Sequence, residues 1–286
     1  MPSTITTAFV QQFDSTIRLQ AQQNESRFQS CVTDRGSITG ESFTANMLAA
    51  VDELDENNTR HGDTVWSDII HNTRVAVLAD FFKAFPVDRA DEPKLLANPN
   101  SAYMQRLISA ANLRRDKIIY DALRGTSTKK DGTTVALPSG QKIAHGSAGL
   151  TKAKIIQAKK LFRTNEADEH NGEELYIAYD SDMLEDILTD TTLTSADFMA
   201  VKMLQEGNIT GKWCGFNWKP YERLYDDGST KYAVAWAKSA VHFGTGFVEG
   251  DASRRNDKKN TMQVSMAASF GATRVEEEKV VEIAFQ

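Results

Sequence analysis

The clearest pattern of apolar and polar positions lies between residues 99 and 124. One stripe of apolar side chains recurs there at helical spacing: Met104, Leu107, Ile108, Ala111, Ile118, Ile119 and Ala122. Pro99 suits the first turn of a helix, and Gly125 suits its end. The pattern therefore predicts a helix over residues 99–124, on the order of 39 Å long at about 1.5 Å per residue, which is long for a globular enzyme.

The front third of the chain is less regular. Residues 4–30 show weak helical spacing among many glutamines, which is typical of a detached or partner-docked helix. Residues 41–49 and 74–85 read as strands on either side of ELDENNTRHGDT, residues 53–64, which has no apolar face at helical or strand spacing. The simplest interpretation is a two-stranded ribbon with this polar stretch at its tip. A lone ribbon is only marginally stable in water, so we expect something outside it to hold it.

Helices and strands alternate in the remaining sequence. A helix capped by Thr151 is followed by a strand, ELYIAYD, and by helices that begin near Ser181 and Ser195. Aromatic strands follow around residues 213–218 and 231–247, then a polar loop over residues 251–260, and two closing strands over 261–275 and 278–286. This order predicts an α+β fold.

Composition and charge remove several functional classes. The 286 residues are 41% hydrophobic and 25% charged, with no apolar run of about 18 residues and no secretory signal at the start, so no transmembrane helix is expected. A net charge of −6 argues against a protein that mainly binds nucleic acid phosphates. Residues 36–74 carry seven acids against Arg60 and Arg74, and the first lysine is Lys83. An acidic arm explains this bias; an unfolded loop is the alternative.

Candidate chemistry is sparse. The five histidines have no metal-ligand spacing, and His170 lies in a mixed-charge turn, NEADEHNGEE. The segment HGSAGLTKAK, residues 145–154, lacks the spacing of a phosphate-binding loop, and GTGFVEG lacks that of a dinucleotide turn. We therefore expect no enzyme activity, no catalytic residues, no cofactor and no metal.

Several stretches, in order along nearly the whole chain, resemble the major capsid proteins of tailed double-stranded DNA phages: TTAFVQQF, TRHGDT, NSAYMQRLISAANLRRDKIIYDALRGT, VALPSGQKIAHGSAGLTKAKIIQAKKLF, LTSADFMAVKMLQEGNITGKWCGF and FGATRVEEEKVVEI. The likeness is to the short-tailed-phage capsid family with the Hong Kong 97-type fold. It implies an N-terminal arm (residues 1–35), an extended β-hairpin loop (36–75), a peripheral domain (76–125 and 251–286) containing a spine helix (99–124), and an axial domain (126–250). The closing strands, 261–286, would return to the peripheral sheet.

The same resemblance implies a shell protein that self-assembles into hexamers and pentamers and forms an icosahedral head around double-stranded DNA. Expected partners are other copies of the chain, a scaffolding protein during assembly, a portal protein at one vertex and packaged DNA bound non-specifically, without a membrane. The protein would be located in the virion and assembled in the host cytoplasm. An encapsulin-type nanocompartment shell, and an enzyme or binding module with an unrecognised site, are the alternatives.

Complementary charge suggests how neighbouring copies meet. Acids of the ribbon would face basic groups of the long helix next door, and Arg60 on the ribbon is a further candidate contact. The candidate contacts are therefore Glu53, Asp55, Glu56, Arg60, Arg114, Arg115 and Lys117. A solvated basic helix face is the alternative for the last three. Some relatives weld subunits through a lysine on the extended loop, but this loop has no lysine, so we predict a shell without covalent links.

Overall fold

The computed structural model describes residues 20–51, 53–54, 60, 62–63, 66–87, 99–189, 209 and 212–286. Their contacts divide into two compact units. The first unit contains the described residues of Met1–Ser26, Asp80–Arg114 and Phe247–Ser269, and the second contains those of Arg27–Ala79, Arg115–Gly246 and Phe270–Gln286. The domain boundaries implied by the resemblance stay a prediction.

Helices and strands are mixed along the described chain, as the sequence predicts. The helices are α1 (Pro99–Arg124), α2 (Lys152–Thr164) and α3 (Ser181–Thr189). The strands are β1 (Thr33–Ser37), β2 (Ser42–Leu48), β3 (His71–Val77), β4 (Ala79–Val87), β5 (Ser127–Thr128), β6 (Thr134–Val135), β7 (Lys142–Ile143), β8 (Leu175–Tyr179), β9 (Lys212–Trp213), β10 (Phe216–Pro220), β11 (Tyr225–Asp226), β12 (Lys231–Ala237), β13 (Val241–Arg255), β14 (Thr261–Arg274) and β15 (Val280–Phe285).

Three of the predicted helices fall within the described residues and are present. The long helix has the predicted bounds. Helix α2 begins after Thr151, whose hydroxyl accepts a hydrogen bond from the Lys154 amide and caps the first turn. Helix α3 begins at Ser181, as predicted. The helix predicted near Ser195 lies outside the described residues.

A seven-stranded mixed sheet forms the main core of the second unit. Its order is β7-β15-β12-β8-β10-β9, and β11 pairs with β12. Helices α2 and α3 cover one face, where Ile155, Phe162 and Met183 join Ala233 and Ala235 of β12 in one buried cluster. Alternate residues of β12 point the other way because side chains alternate along a strand, and Trp236 on that face is fully buried.

The N-terminal segment is anchored on this second face. The ring of Phe28 lies 4.7 Å from Tyr221 and 5.3 Å from Trp236, and the Trp236 indole donates to the Cys31 carbonyl over 2.9 Å. The buried carboxylate of Asp116, on α1, accepts hydrogen bonds from the backbone amides of Arg27 and Phe28. The predicted helix over residues 4–30 is therefore wrong for residues 20–30, where Gln29–Cys31 alone form a short 3₁₀ turn; residues 1–19 lie outside the described part.

The predicted ribbon is present, but it belongs to a larger sheet. Strands β2 and β3 pair antiparallel from Ser42 opposite Val77 to Leu48 opposite His71, and β5 and β6 extend the sheet in the order β2-β3-β5-β6. The prediction of one strand over residues 74–85 is wrong, because these residues belong to two strands, β3 and β4. The chain changes sheets at Leu78, whose amide donates to the Glu41 carbonyl over 2.8 Å, and β4 joins a second four-stranded sheet, β1-β13-β14-β4.

Two predictions for the end of the chain need correction. Residues 251–260 are not entirely a loop, because β13 continues to Arg255 and the turn begins after it. The closing strands do not return to one sheet. Strand β14 lies beside β13 and β4 in the second four-stranded sheet, whereas β15 lies between β12 and β7 in the seven-stranded sheet. The reason is burial, since all six residues of β15 are buried and three of them, Val281, Ile283 and Phe285, pack in the core beneath α2 and α3.

Candidate assembly interface

Catalytic chemistry does not assemble in the described part of the chain. No group of three or more histidine, cysteine, aspartate or glutamate side chains could hold a metal ion there. His170 sits in a short 3₁₀ turn in which the Asp168 carboxylate accepts from its backbone amide, as expected for a polar turn. Of the helices in the described ranges, none is long and apolar enough to cross a membrane. The surfaces that remain to be considered are those that can contact other proteins.

The root of the ribbon is held by a buried ion pair within the chain. The side chain of Arg74, on β3, is 5% exposed and donates two hydrogen bonds to the carboxylate of Glu277, at 3.1 and 3.0 Å. The hydroxyl of Ser127, on β5, donates to the same carboxylate over 3.2 Å. Because 203 residues separate Arg74 from Glu277, this pair attaches the ribbon to the segment between β14 and β15.

A second buried arginine completes the root. The fully buried Arg274 donates to the carbonyl oxygens of Leu123, Gly125 and Val135, at 3.0, 2.6 and 3.0 Å. Burial lowers its pKa, and the nearby Glu277 carboxylate acts in the opposite direction. The exposed carbonyls at the end of a helix need donors, and here Arg274 supplies them at the end of α1. The ribbon root and the end of the long helix thus form one hydrogen-bonded body.

The outer ribbon has the opposite character. Beyond the last paired residues, where the Ala49 amide donates to the Ile70 carbonyl over 2.9 Å, large apolar side chains face solvent. Leu54 is 97% exposed and Trp66 is 89% exposed, and three others along the same segment are also exposed: Val51, Ile69 and Ile70. Single exposed apolar residues are ordinary, but several large ones on one segment indicate a surface that contacts another protein. The sequence interpretation attended to the charges of ELDENNTRHGDT and missed this feature, although TVWSDII beside it carried the signal.

The predicted contacts on the ribbon are only partly described. Glu53 and Arg60 are exposed on the outer ribbon, whereas Asp55 and Glu56 lie outside the described residues. The predicted pairing of these groups with a neighbouring copy stays a prediction.

The predicted basic contacts do not form one free surface. Arg115 is half-buried over the rings of Phe243 and Phe270, at 5.9 and 4.9 Å from their centroids, and burial lowers its pKa. Lys117 pairs with Asp121 one turn later, over 3.3 Å.

In the other unit, Arg114 lies 4.7 Å from the centroid of the Phe81 ring. All three basic side chains therefore make contacts within their own chain.

Comparison with known proteins agrees with the fold. A chain from Mycobacterium phage Che8 is 16% identical, with a TM-score of 0.74, over 96% of this chain and 97% of that one. A chain of the capsid of cyanophage P-SCSP1u is 16% identical, with a TM-score of 0.72, over 100% and 95%. The acidic stable capsid of Helicobacter pylori bacteriophage KHP30 is 11% identical, with a TM-score of 0.72, over 100% and 98%. None of the curated proteins matches the sequence.

The predicted α+β fold of the Hong Kong 97 type is confirmed by these structures together with the mixed helices and sheets. A family model described as phage capsid protein matches residues 5–286. This match confirms the predicted identification as a tailed-phage major capsid protein that functions in the shell and is located in the virion capsid. Nothing in the matches favours an encapsulin-type shell. The chain belongs to the phage capsid protein family.

Proposed function

We propose that copies of this chain close into rings of six and five, in which the outer ribbon of each subunit lies across the next. The observation that carries the proposal is the contrast within the ribbon between a buried, ion-paired root and an outer segment whose apolar side chains face water. A contact in which one surface of a copy meets a different surface of the next is heterologous, and such contacts close into rings when the rotation allows.

The energy of this contact suits reversible assembly. Full burial of an apolar side chain contributes about 1.5–3 kcal/mol, so burial of five such side chains on the ribbon supplies on the order of 8–15 kcal/mol before costs. Association costs about 4–15 kcal/mol in lost freedom. A single ribbon contact is therefore weak, and a closed ring, in which every subunit gives and receives one ribbon, is stable.

The remaining partners follow from the role in the shell. A scaffolding protein during assembly, a portal at one vertex and double-stranded DNA inside the head are part of the proposal, supported by membership of the capsid family. The net charge of −6 favours weak, non-specific contact with DNA, because like charges keep the inner wall from holding phosphates tightly. The family role is structural, which supports the proposal that the chain has no enzyme activity.

The test removes the outer ribbon and keeps its root. Residues 50–69 are replaced by Asn-Gly, a two-residue turn that can join Ala49 to Ile70 directly. The shortened subunit is expected to fold but to form no shells when it is expressed alone or with a scaffolding protein, as judged by electron microscopy and sedimentation. Ser67→Ala, on the same outer segment, is the matched control and should assemble normally. Shells of normal size from the shortened chain would contradict the proposal.

A further inference from the structure

An open pocket lies on the outer side of helix α2, away from the core of the second unit. Its volume is about 530 Å³, within the range of about 300–1,000 Å³ that holds small molecules or large side chains. It is lined mainly by apolar surface, from these residues: Ile156, Lys159, Lys160, Arg163, Thr164 and Cys214. Ile156 is 53% exposed although it is a large aliphatic residue on a helix that faces a core. Nothing in the structural role of α2 requires this apolar opening.

A strained turn forms one wall of the pocket. Trp213 pairs with Phe216, and the two residues between them, Cys214 and Gly215, have φ angles of 51° and 83°. Two positive φ angles define the tightest type of hairpin turn, in which glycine, asparagine and aspartate are the usual residues. The φ angle of Gly215 favours glycine, and an added Cβ would lie 2.7 Å from the Lys159 amine, which would have to move. Cys214, at the first position, has a backbone conformation that cysteine rarely adopts, and it lines the pocket while also packing against the core cluster.

The charges at the rim are only partly neutralised. Lys159 pairs with Glu169, and Arg163 lies 3.8 Å from Asp168 with its side chain 67% exposed. Lys160 is exposed and has no ion-pair partner within the described ranges. The pocket therefore offers an apolar floor beside at least one available cation. It fits a large apolar side chain that has an acidic residue close to it along the same segment.

The outer ribbon presents such a side chain. Trp66 is 89% exposed, whereas Trp213, Trp218 and Trp236 all pack against other aromatic rings of their own chain. Asp68 follows two residues later, within about 7 Å on an extended chain, and Asp63 precedes it. An indole fills a pocket of this size, and lysine or arginine near its face adds a favourable cation–π contact of about 0.5–2 kcal/mol.

We propose that Trp66 of one copy inserts into the pocket that α2 and the Cys214 turn form on the next copy. Asp68 would then face Lys160 of that copy. The proposal rests on the proposed function, because it names the surface on which the ribbon lies. It replaces the basic residues of the long helix as the favoured receptor, since Arg114, Arg115 and Lys117 already contact groups of their own chain. A buried tryptophan surrounded by weaker polar contacts is the usual anchor of a protein interface.

The first experiment uses the thiol that the chain already carries. Trp66→Cys subunits are assembled, and the shells are oxidised with diamide and run on a non-reducing gel. A disulfide between the introduced thiol at position 66 and Cys214 requires Cα atoms about 4.4–6.8 Å apart, so insertion of the ribbon predicts a ladder of linked subunits. The ladder should disappear when Cys214→Ser is added. Ile69→Cys is the matched control, because it lies three residues away, up to about 10 Å along the ribbon, and should give no ladder.

A second measurement covers the case in which Trp66→Cys does not assemble. In wild-type shells, Cys214 should react with a maleimide at least 10-fold more slowly than in dissociated subunits, whereas Cys31, which is fully buried, should react slowly in both. Three results would overturn the contact. They are intact shells that show no ladder, a ladder that persists without Cys214, and equal reactivity of Cys214 in shells and subunits. Wild-type chains that form no shells would instead refute the proposed function.

Discussion

Replacement of Glu277 by alanine tests whether the ribbon root is held by its buried ion pair. In the native chain the Glu277 carboxylate accepts two hydrogen bonds from Arg74 and one from Ser127, and it lies 3.8 Å from the Arg274 guanidinium. Glu277→Ala removes the only carboxylate that Arg74 contacts in the described part of the chain. The Arg74 side chain is 5% exposed, so water cannot replace the lost acceptor easily.

The expected loss of stability follows from this burial. A buried ion pair that loses one partner costs about 3–5 kcal/mol, because the other charge stays buried without compensation. Each kcal/mol lowers the melting temperature of a chain of this size by about 2–3 °C, so the predicted decrease is roughly 6–15 °C. The change concentrates at the ribbon root, because Arg274 keeps its three carbonyl acceptors, two at the end of α1 and one on β6.

Thermal unfolding of unassembled subunits, followed by circular dichroism, measures the total loss, and hydrogen exchange of β2 and β3 shows whether it is local. Glu278→Ala is the matched control, since this neighbouring carboxylate is exposed and should change stability by about 0.5 kcal/mol or less. Arg74→Met combined with Glu277→Met should be more stable than Glu277→Ala alone, because neither charge is left unpaired. A Glu277→Ala protein that melts within 2 °C or so of the Glu278→Ala control would refute the reasoning.

Three further predictions concern other parts of the chain. Lys154→Met should lower the free energy of unfolding in urea by about 2–3 kcal/mol, because the Lys154 amine donates to the carbonyls of Ala148, Gly149 and Ala284 and thereby holds the last strand. Lys152 is exposed, so Lys152→Met should leave the free energy of unfolding unchanged. Burial, with help from Arg35 and Lys279, lowers the pKa of His242 to about 4, so the folded state resists its protonation and stability should fall as pH decreases from about 6.5 to about 4. The urea midpoint of His242→Gln should fall less over that interval, and an equal fall in both proteins would contradict this. Shells boiled in detergent should release only monomers, and ladders of linked subunits would disprove a non-covalent shell.

Local signals predict the helices well. The apolar stripe, Pro99 and Gly125 together set both ends of α1, and Thr151 sets the start of α2, because caps and periodicity act within a few residues. A β-ribbon at residues 42–77 was also predictable, since two alternating segments flank a polar stretch. These features depend on neighbours in sequence, which one chain displays directly.

The positions where the chain changes sheets could not be predicted. The run RVAVLADFFKAF contains no glycine or proline, and its division at Leu78 depends on a hydrogen bond to Glu41, far away in sequence. Gly271 lies against this division, where an added Cβ would come within 2.9 Å of the Val77 carbonyl. The placement of β15 and the Arg74–Glu277 pair likewise depend on residues about 50 to 200 positions apart. Such long-range pairings leave no periodic pattern in a single sequence.

The sequence indicates which segment lacks a covering surface but does not identify the exposed apolar side chains on it. Charge directs attention to Glu53 and to the basic side of the long helix, and the contact between copies stays a prediction. The structure shows that Arg115 is half-buried against aromatic rings and that Lys117 pairs with Asp121. The sequence does not reveal which charged side chains already have partners within the chain. The exposure of Trp66 becomes evident only in the structure, where the other three tryptophans pack against aromatic rings.

The ribbon separates two kinds of stability, and this separation is what a reversible shell requires. The root is stabilised by Arg74, Glu277 and Arg274 of the same chain, so its free energy is independent of subunit concentration. In the proposed ring, the outer segment buries its exposed apolar side chains against another copy, so its contribution grows as subunits accumulate. Changes at the root should therefore destabilise subunit and shell alike, whereas changes at Trp66 should leave the melting temperature of the subunit unaltered and raise the concentration needed for assembly. If a Trp66→Ala subunit melted several degrees below the wild type, the outer ribbon would be packing on its own chain, and the argument for a contact between copies would fail.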